Sequence, residues 1–222
     1  MRIAAAIPAY EAAYSVGAVA VRAREVLGSV LVIDDGSNDG TAEAARDAGA
    51  EVHVFPANRG KGAALRAAFS ILFGRGFEAV VTIDADGQHV PEEAPRLLAA
   101  SDGAALVLGT RDHLFAEMGR VRRLSNRLSS RAISWAAGQA LSDVQTGFRL
   151  YKRELIERTG FPESGFEAES AVVVRAVRLG FPVTTTPVRL GRADGRSTSH
   201  YRPLVDSLRI AEGVLRARYV AI

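Results

Sequence analysis

Short apolar runs alternate with longer amphipathic stretches along most of the chain. The apolar runs predict strands at residues 2–7, 30–34, 51–55, 79–84, 104–110, 147–151 and 183–188. The amphipathic stretches predict helices at 12–27, 40–48, 60–75, 91–100, 121–138, 152–159 and 166–179, with a last one from about Pro203. This alternation is typical of α/β folds and predicts a mostly parallel central sheet flanked by helices. We find no repeat or linker, so the chain is predicted to form a single domain over 1–222.

Composition narrows the class of protein. Of the 222 residues, 48% are hydrophobic and 24% charged, which is typical of a globular domain. The absence of cysteine excludes disulfides, thiolate metal sites and cysteine nucleophiles, so a metal would need oxygen or histidine ligands. The longest uncharged stretch, 132–142, is far shorter than the ~20 residues of a membrane-spanning helix, and the first apolar run is too short for a signal peptide. We therefore expect a cytoplasmic protein.

The charge is balanced overall but locally clustered. The formal net charge is +3, and arginines concentrate at 111–131 and 189–218. Such clusters suit phosphate or anionic lipid and do not indicate a nucleic-acid-binding protein. On the predicted helix at 121–138, one arc holds a row of basic residues beside Leu124, Leu128 and Trp135: Arg120, Arg123, Arg127 and Arg131. This row is either a surface for anionic headgroups or an ordinary solvated face over an apolar stripe.

Four polar motifs follow the first four predicted strands. They are IPAYE at 7–11, DDGS at 34–37, NRGKG at 58–62 and DADGQ at 84–88. One such motif alone is an ordinary turn, since these residue types favour turns. Ligands of parallel sheets bind beyond the carboxyl ends of the strands, so four successive motifs predict a binding site there.

The fourth motif has the clearest chemistry. Asp84, Asp86 and Gln88 alternate in a segment predicted to be extended, so their side chains point the same way. Two carboxylates and an amide oxygen suit Mg²⁺ or Mn²⁺, with a substrate diphosphate completing the coordination shell. His89 is either a further ligand or, as turn histidines more often are, a solvated polar residue.

The first two motifs suit a nucleotide. Asp34 and Asp35 are able to accept hydrogen bonds from a base or ribose, and Tyr10 offers a face for stacking beside the stiff Pro8. Tyr10 is equally well explained as a half-buried aromatic packed on the sheet. The chain contains no G-x-x-x-x-G-K-[ST] loop and no G-x-G-x-x-G after the first strand, which disfavours P-loop NTPases and dinucleotide-binding dehydrogenases.

The combined motifs resemble a known family. Besides those above, they include VIDDGSNDGT at 32–41, TIDADGQH at 82–89, GTR at 109–111, SDVQTGFRLYKRELI at 142–156 and STSHYRPLVDSLRI at 197–210. Together they resemble the family 2 glycosyltransferases with the GT-A fold, within them the dolichol-phosphate (polyprenol-phosphate) mannose synthase group. The resemblance covers about residues 3–210.

This resemblance implies a nucleotide-diphosphate-sugar donor, a divalent cation and inversion at the anomeric carbon. It implies donor-binding residues at Pro8, Tyr10, Glu11, Asp34, Asp35, Lys61, Asp84, Ala85 and Asp86, and metal ligands at Asp84, Asp86 and Gln88. The acceptor phosphate would lie at Arg111, Arg122 and Asn126, although the synthases have a serine at the last position. Arg149, His200 and Arg202 are assigned to loops at the site. Residues 1–110 would form the donor and metal half, and 111–222 the acceptor half.

We therefore expect transfer of mannose or glucose from GDP-mannose or UDP-glucose to a polyprenyl phosphate, peripherally at the inner face of a membrane. Asp86 and Arg111 would be catalytic, and the ionised acceptor phosphate would need no base because its second pKa is ~6. A hydroxyl acceptor would need a general base. Asp143 is the first candidate for it, followed by Glu167 and Glu169. Asp143 is otherwise explained as a turn residue paired with Arg149. A nucleotide-sugar-binding protein without turnover is a third hypothesis, and oligomeric state stays open.

Overall fold

The structure, a computed structural model, describes residues 1–110, 130–191 and 203–219, with side chains from 206 onward in the last stretch. Seven strands form one sheet: β1 (Ile3–Ala9), β2 (Val30–Asp34), β3 (Glu51–Val54), β4 (Ala79–Thr82), β5 (Leu106–Thr110), β6 (Arg149–Lys152) and β7 (Val183–Pro187). The helices are α1 (Val16–Leu27), α2 (Thr41–Asp47), α3 (Lys61–Gly74), α4 (Ala94–Ala100), α5 (described over 130–137), α6 (Arg153–Thr159), α7 (Glu167–Arg178) and α8 (Pro203–Tyr219). A 3₁₀ turn, Pro91–Glu93, precedes α4.

The strand order is β3-β2-β1-β4-β6-β5-β7. All neighbouring strands are parallel except β6, which runs antiparallel to both β4 and β5. The predicted α/β class with a mostly parallel sheet is confirmed. Several strand ends differ from prediction by one or two residues; for example, β1 continues to Ala9, and β4 stops at Thr82 before the turn that includes Gly87 at φ +74°.

Both faces of the sheet are covered by helices. Successive residues of β1 alternate between two apolar clusters: Ala4 and Ala6 face the layer of α3, α7 and α8, whereas Ala5 and Ile7 face that of α1 and α4. Strands buried on both faces read as continuous apolar runs rather than as alternating ones. Because helices cover both faces of the sheet, β2, β4 and β5 are buried at every position.

Arg149 is a fully buried residue of β6, and its assignment to a site loop was wrong. Its guanidinium donates hydrogen bonds to the carbonyl oxygens of Thr146 at 2.6 Å, Val144 at 2.7 Å and Glu169 at 2.5 Å. A buried charge is tolerated when its donors are satisfied in this way. Arg149 therefore joins the 144–146 turn, β6 and α7.

Helices α5, α7 and α8 are also linked by arginine side chains. Arg178 on α7 donates to the carbonyl oxygen of Ala217 on α8 at 2.6 Å, and Arg218 on α8 donates to that of Ala136 on α5 at 2.6 Å.

Among the described residues, no helix combines the length and the apolar character needed to cross a bilayer.

We expect Arg149→Met to lower the free energy of unfolding by about 3–5 kcal/mol, because three buried carbonyl oxygens lose their donor. Urea unfolding measures this loss. Arg46→Met is the matched control, since Arg46 is exposed and lies 3.6 Å from Glu43, and it should stay within about 0.5 kcal/mol of the parent. A loss for Arg149→Met as small as the control's would contradict this role.

Candidate active site

A cavity of about 480 Å³ lies beyond the carboxyl ends of β1, β2 and β4. Its lining comes from the loops after these strands, from α3, and from two parts of the second half of the chain. The lining residues are Pro8, Ala9, Tyr10, Ala12, Asp35, Asn58, Gly60, Lys61, Ala64, Asp84, Ala85, Asp86, Gly165, Phe166, Asp206 and Arg209. Seven of the ten residues predicted to bind donor or metal line this cavity; Glu11, Asp34 and Gln88 do not.

Asp35 holds two of the strand-end loops together. Its carboxylate oxygens accept hydrogen bonds from the backbone N–H groups of Arg59 at 2.7 Å and Gly60 at 2.8 Å. Burial raises the pKa of this carboxyl above its usual value, while these two hydrogen bonds act in the opposite direction. Because both oxygens already have partners, Asp35 fixes the loop geometry at the cavity wall.

Asp34 and Glu11 shape the adjoining loops. Asp34 is buried and accepts a hydrogen bond from the N–H of Ser37 at 2.9 Å. Glu11, at φ +50°, accepts one from the N–H of Asn38 at 2.9 Å, and its own N–H donates to the Ser37 hydroxyl. Both residues stabilise the loops that contain the first two motifs. Their contact with the donor stays a prediction.

The glycines of the third motif allow a distant loop to approach the cavity. A Cβ on Gly62 would lie 2.5 Å from the carbonyl oxygen of Glu163 and 2.8 Å from the Cβ of Ala168, and one on Gly60 would overlap the carbonyl oxygen of Ser164. The N–H of Ala63 donates to that same Ser164 oxygen at 3.1 Å. This close approach brings Gly165 and Phe166 to the cavity.

Lys61 joins three elements at the cavity. Its ammonium group lies 2.7 Å from Asp84 Oδ1, beyond β4, and 2.8 Å from Glu169 Oε2 on α7. Burial lowers the pKa of Lys61, but the two carboxylates outweigh burial and raise it above the usual value. A lysine in the first turn of α3 is unfavourable to the helix dipole, so the two carboxylates account for its position.

Asp84 and Asp86 both line the cavity, but not in an extended segment as predicted. Asp86 lies in a turn, where its Oδ1 accepts a hydrogen bond from the N–H of Gln88 at 2.9 Å. The side chain of Gln88 is therefore not brought to the cavity wall by strand alternation. A Cβ on Gly147 would overlap the Asp84 carboxylate, so glycine is required beside it. Within the described residues, no cluster of three acidic, histidine or cysteine side chains forms a metal site.

His89 is 2% exposed, so the expectation of a solvated residue was wrong. The ring stacks on Phe148, with 5.4 Å between centroids, and its Nδ1 accepts a hydrogen bond from the backbone N–H of Asp84 at 3.2 Å. The backbone of His89 also forms a bridge to Leu190. These contacts give His89 a structural role beneath the aspartate turn.

None of the three candidate bases is among the residues that line the cavity. Asp143, at φ +42°, is 1% exposed and its carbonyl oxygen accepts from the N–H of Thr146 at 3.1 Å. Glu167 accepts from the N–H of Gly165 at 3.0 Å, and Glu169 is paired with Lys61. The guanidinium of Arg149 is occupied by carbonyl oxygens, as described above.

Several predicted residues lie outside the described part of the chain. They are Arg111, Arg122, Asn126, His200 and Arg202, together with Arg120, Arg123 and Arg127 of the basic row. Arg131, the remaining member of that row, is exposed.

Sequence reasoning missed Asn58, Phe166, Asp206 and Arg209 as lining residues. Asn58 stands in a quoted motif, and its position after β3 was the available signal. The other three come from the second half, where the paired glycines of 60–62 were the only hint that a distant segment packs there.

A family model described as glycosyl transferase family 2 matches residues 7–160, which is more than half of the chain. The chain belongs to glycosyltransferase family 2. This result confirms the resemblance and the expected class of enzyme. All four strand-end motifs lie within the matched segment.

Curated relatives of this family 2 member include proteins named for polyprenyl substrates. The polyprenol monophosphomannose synthase of Mycolicibacterium smegmatis is 35% identical over 72% of this chain and 65% of its own length. The undecaprenyl-phosphate mannosyltransferase of Micrococcus luteus is 32% identical over 85% of this chain and 83% of its own length. Glycosyltransferase AglJ of Haloferax volcanii is 34% identical over 79% of this chain, which spans 58% of that relative.

Solved structures share the fold. Glucosyl-3-phosphoglycerate synthase of Mycobacterium tuberculosis, in complex with Mn²⁺, UDP and phosphoglyceric acid, aligns over 97% of this chain and 76% of its own, with a TM-score of 0.72 and 21% identity. A mycobacterial protein aligns over 99% of this chain and 76% of its own, with a TM-score of 0.77 and 22% identity. This likeness confirms the predicted GT-A fold.

We expect Gly62→Ala to lower the free energy of unfolding by about 1–3 kcal/mol, because the added methyl group meets backbone and the Cβ of Ala168. The matched control is Gly74→Ala in the same helix, where a Cβ meets nothing within 4 Å. That change should be neutral or stabilise by up to ~1 kcal/mol. Thermal unfolding of both variants checks the difference, and equal shifts would contradict the close approach.

We expect Lys61→Met to lower the free energy of unfolding by about 2–4 kcal/mol at pH 8 and by less at pH 5. Without the ammonium group, Asp84 and Glu169 repel each other, so the folded-state pKa of a carboxyl rises above its unfolded value. Stability is then lost as the pH rises through that folded-state pKa. In the parent, the raised pKa of Lys61 keeps its contribution constant over this range.

Urea unfolding at both pH values measures this dependence. Lys152→Met, at the only other lysine, is the control, since no ion pair of Lys152 occurs among the described residues. A loss for Lys61→Met that is equal at pH 5 and pH 8 would show that the two carboxylates are not coupled through Lys61.

Proposed function

We propose that this family 2 glycosyltransferase moves a hexose, mannose or glucose, from a nucleotide-diphosphate sugar to a polyprenyl phosphate, with a divalent cation at the donor site. The observation that carries the proposal is the cavity at the carboxyl ends of β1, β2 and β4. It combines a wall suited to a nucleotide, formed by Pro8, Tyr10 and Asp35, with the carboxylates of Asp84 and Asp86. Relatives with 32–35% identity carry polyprenyl-phosphate acceptors in their names.

The donor is assigned to the wall formed by Pro8, Tyr10 and Asp35. Tyr10 is half-buried and lines the cavity, so its ring is placed to stack on a base while Pro8 stiffens the strand end. Ala85 contributes a small side chain between the two aspartates, which leaves room for a diphosphate. GDP-mannose and UDP-glucose are the two donors to test.

The residues present fit a divalent cation. Asp84 and Asp86 supply hard carboxylate oxygens at the cavity, and Gln88 follows in the same turn. The ammonium group of Lys61 lies 2.7 Å from Asp84 Oδ1, so a cation would share this carboxylate with Lys61. A bound cation would act as a Lewis acid on the departing diphosphate. The glucosyl-3-phosphoglycerate synthase structures of M. tuberculosis contain Mn²⁺ or Mg²⁺ together with UDP.

The acceptor is proposed to be a phosphate because, in the described part of the chain, none of the three candidate bases lines the cavity. Asp143, Glu167 and Glu169 do not line the described cavity, and two of these carboxylates bond to Lys61 or Gly165. A phosphate monoester is already doubly ionised near neutral pH and needs no proton removed. Arg111, Arg122 and Asn126 are proposed to hold this phosphate, with His200 and Arg202 closing over the donor.

In the proposed reaction, an acceptor phosphate oxygen forms a bond to the anomeric carbon while the bond from that carbon to the diphosphate oxygen breaks, with inversion. Negative charge accumulates on the departing diphosphate. Lys61 keeps Asp84 in place throughout, and Asp35 keeps the 58–60 loop at the cavity wall. The contribution of these residues is the preorganised electrostatic environment.

The test is a transfer assay with GDP-mannose or UDP-glucose, Mn²⁺ and a polyprenyl phosphate. We expect lipid-linked hexose with one donor, and a loss of at least about a hundredfold in Asp86→Asn because a carboxylate of the metal set is removed. Asp102→Asn, at an exposed position, is the matched control and should keep the parent rate.

Donor binding is measured separately by thermal shift with each nucleotide sugar, with Mn²⁺ or EDTA. Transfer to a hydroxyl acceptor that is lost in Asp143→Asn would favour the second hypothesis. A Mn²⁺-dependent shift without transfer to any acceptor would favour a binding protein. No shift and no transfer would overturn the proposal.

A further inference from the structure

The outer face of α8 carries an unusual row of exposed apolar side chains. Leu208, Leu215 and Tyr219 are 73%, 49% and 67% exposed. At 100° per residue, these three positions fall within about 40° of one another. The buried positions of the same helix, including Ile210, Val214 and Ala217, lie on the opposite side. A surface helix normally has polar residues on its outer face, so α8 departs from the expected pattern.

Trp135 extends this row onto the neighbouring helix. It is 62% exposed on α5, and the guanidinium of Arg218 lies 4.6 Å from its ring centroid and 5.5 Å from that of Tyr219. The guanidinium of Arg218 therefore contacts both aromatic rings. We define the α8 outer surface as Trp135, Leu208, Leu215 and Tyr219. These four are half of the large exposed apolar side chains among the described residues, and the others are scattered.

The border of the α8 outer surface is basic. Arg209 and Arg216 are exposed beside it on α8, the guanidinium of Arg218 contacts both of its aromatic rings, and Arg131 is exposed one turn before Trp135. Glu212 is the one exposed acidic residue on the described part of α8, and it is paired with Arg216 at 2.6 Å. Exposed leucines, a tryptophan and a tyrosine bordered by arginines match the apolar and anionic layers of a lipid interface.

The position of α8 connects this surface with the site. Asp206 and Arg209, on either side of Leu208 along the helix, line the cavity. A bilayer against the α8 outer surface would thus lie within about one helix diameter, ~10 Å, of the cavity wall. Contacts to α5 and α7 hold the helix in this position.

We propose that the α8 outer surface docks the protein on an anionic lipid bilayer, with the cavity opening beside the headgroups. This inference deepens the proposed function, on which its relevance to a lipid acceptor rests. It shares Arg131 and Trp135 with the surface predicted around the basic row at 120–131, and it differs in that most of the apolar contact comes from α8. A second copy of the chain is the competing occupant.

The experiment measures co-sedimentation of the full chain with phosphatidylcholine vesicles, with and without phosphatidylglycerol. We expect binding to the anionic vesicles that weakens at high salt and falls at least about tenfold in Leu208→Glu/Leu215→Glu. Val21→Glu, at a 38% exposed apolar position on α1, is the matched control and should bind like the parent. Equal loss in both variants, or equal binding to neutral vesicles, would overturn the proposal.

Trp135 is the only tryptophan, so its fluorescence reports directly on this surface. We expect a blue shift with anionic vesicles, and an unshifted spectrum while the protein sediments with vesicles would overturn the proposal. Dimers in solution that Leu208→Glu/Leu215→Glu dissociates, without vesicle binding by the parent, would assign the surface to a second copy.

Transfer to a short-chain, water-soluble polyprenyl phosphate separates this proposal from the proposed function. The double variant should keep that activity and lose transfer to a long-chain acceptor in vesicles. Vesicle binding by a parent that transfers to neither acceptor would leave the docking surface standing and overturn the proposed acceptor.

Discussion

The site depends on how one buried ammonium group balances two carboxylates. Lys61 begins α3, Asp84 follows β4 and Glu169 belongs to α7, so a single side chain fixes three elements around one wall of the cavity. Without that charge, the carboxylates would repel each other where solvent screens them poorly. The tight glycine contacts at 60–62 serve the same arrangement, because they let the segment before α7 come close enough for Glu169 to reach Lys61.

Local sequence rules predicted much of the fold and part of the site. The strands and helices were recognisable because apolar runs and amphipathic stretches report burial directly, and the motifs after β1 to β4 were recognisable because ligands of parallel sheets bind at those ends. Tyr10, Asp35 and Asp86 line the cavity as this reasoning expected.

The remaining features depend on contacts between residues far apart in the chain. Arg149 falls within the strand predicted at 147–151 but was assigned to a site loop, and only the carbonyl oxygens of Val144, Thr146 and Glu169 explain its burial. The burial of His89 follows from packing against Phe148, which periodicity does not encode. For the same reason, Phe166 and Arg209 had no local signal.

The insertion of β6 between β4 and β5 has a consequence for how the chain folds. β5 pairs only with β6 and β7, so no hydrogen-bonded ladder connects it with the first four strands until β6 is in place. During synthesis, the strands β1 to β4 are able to pair while β5 waits for residues 149–152 to leave the ribosome. Folding therefore includes a late step of long-range pairing, which is intrinsically slow, and the unpaired edge of β4 is exposed until that step occurs.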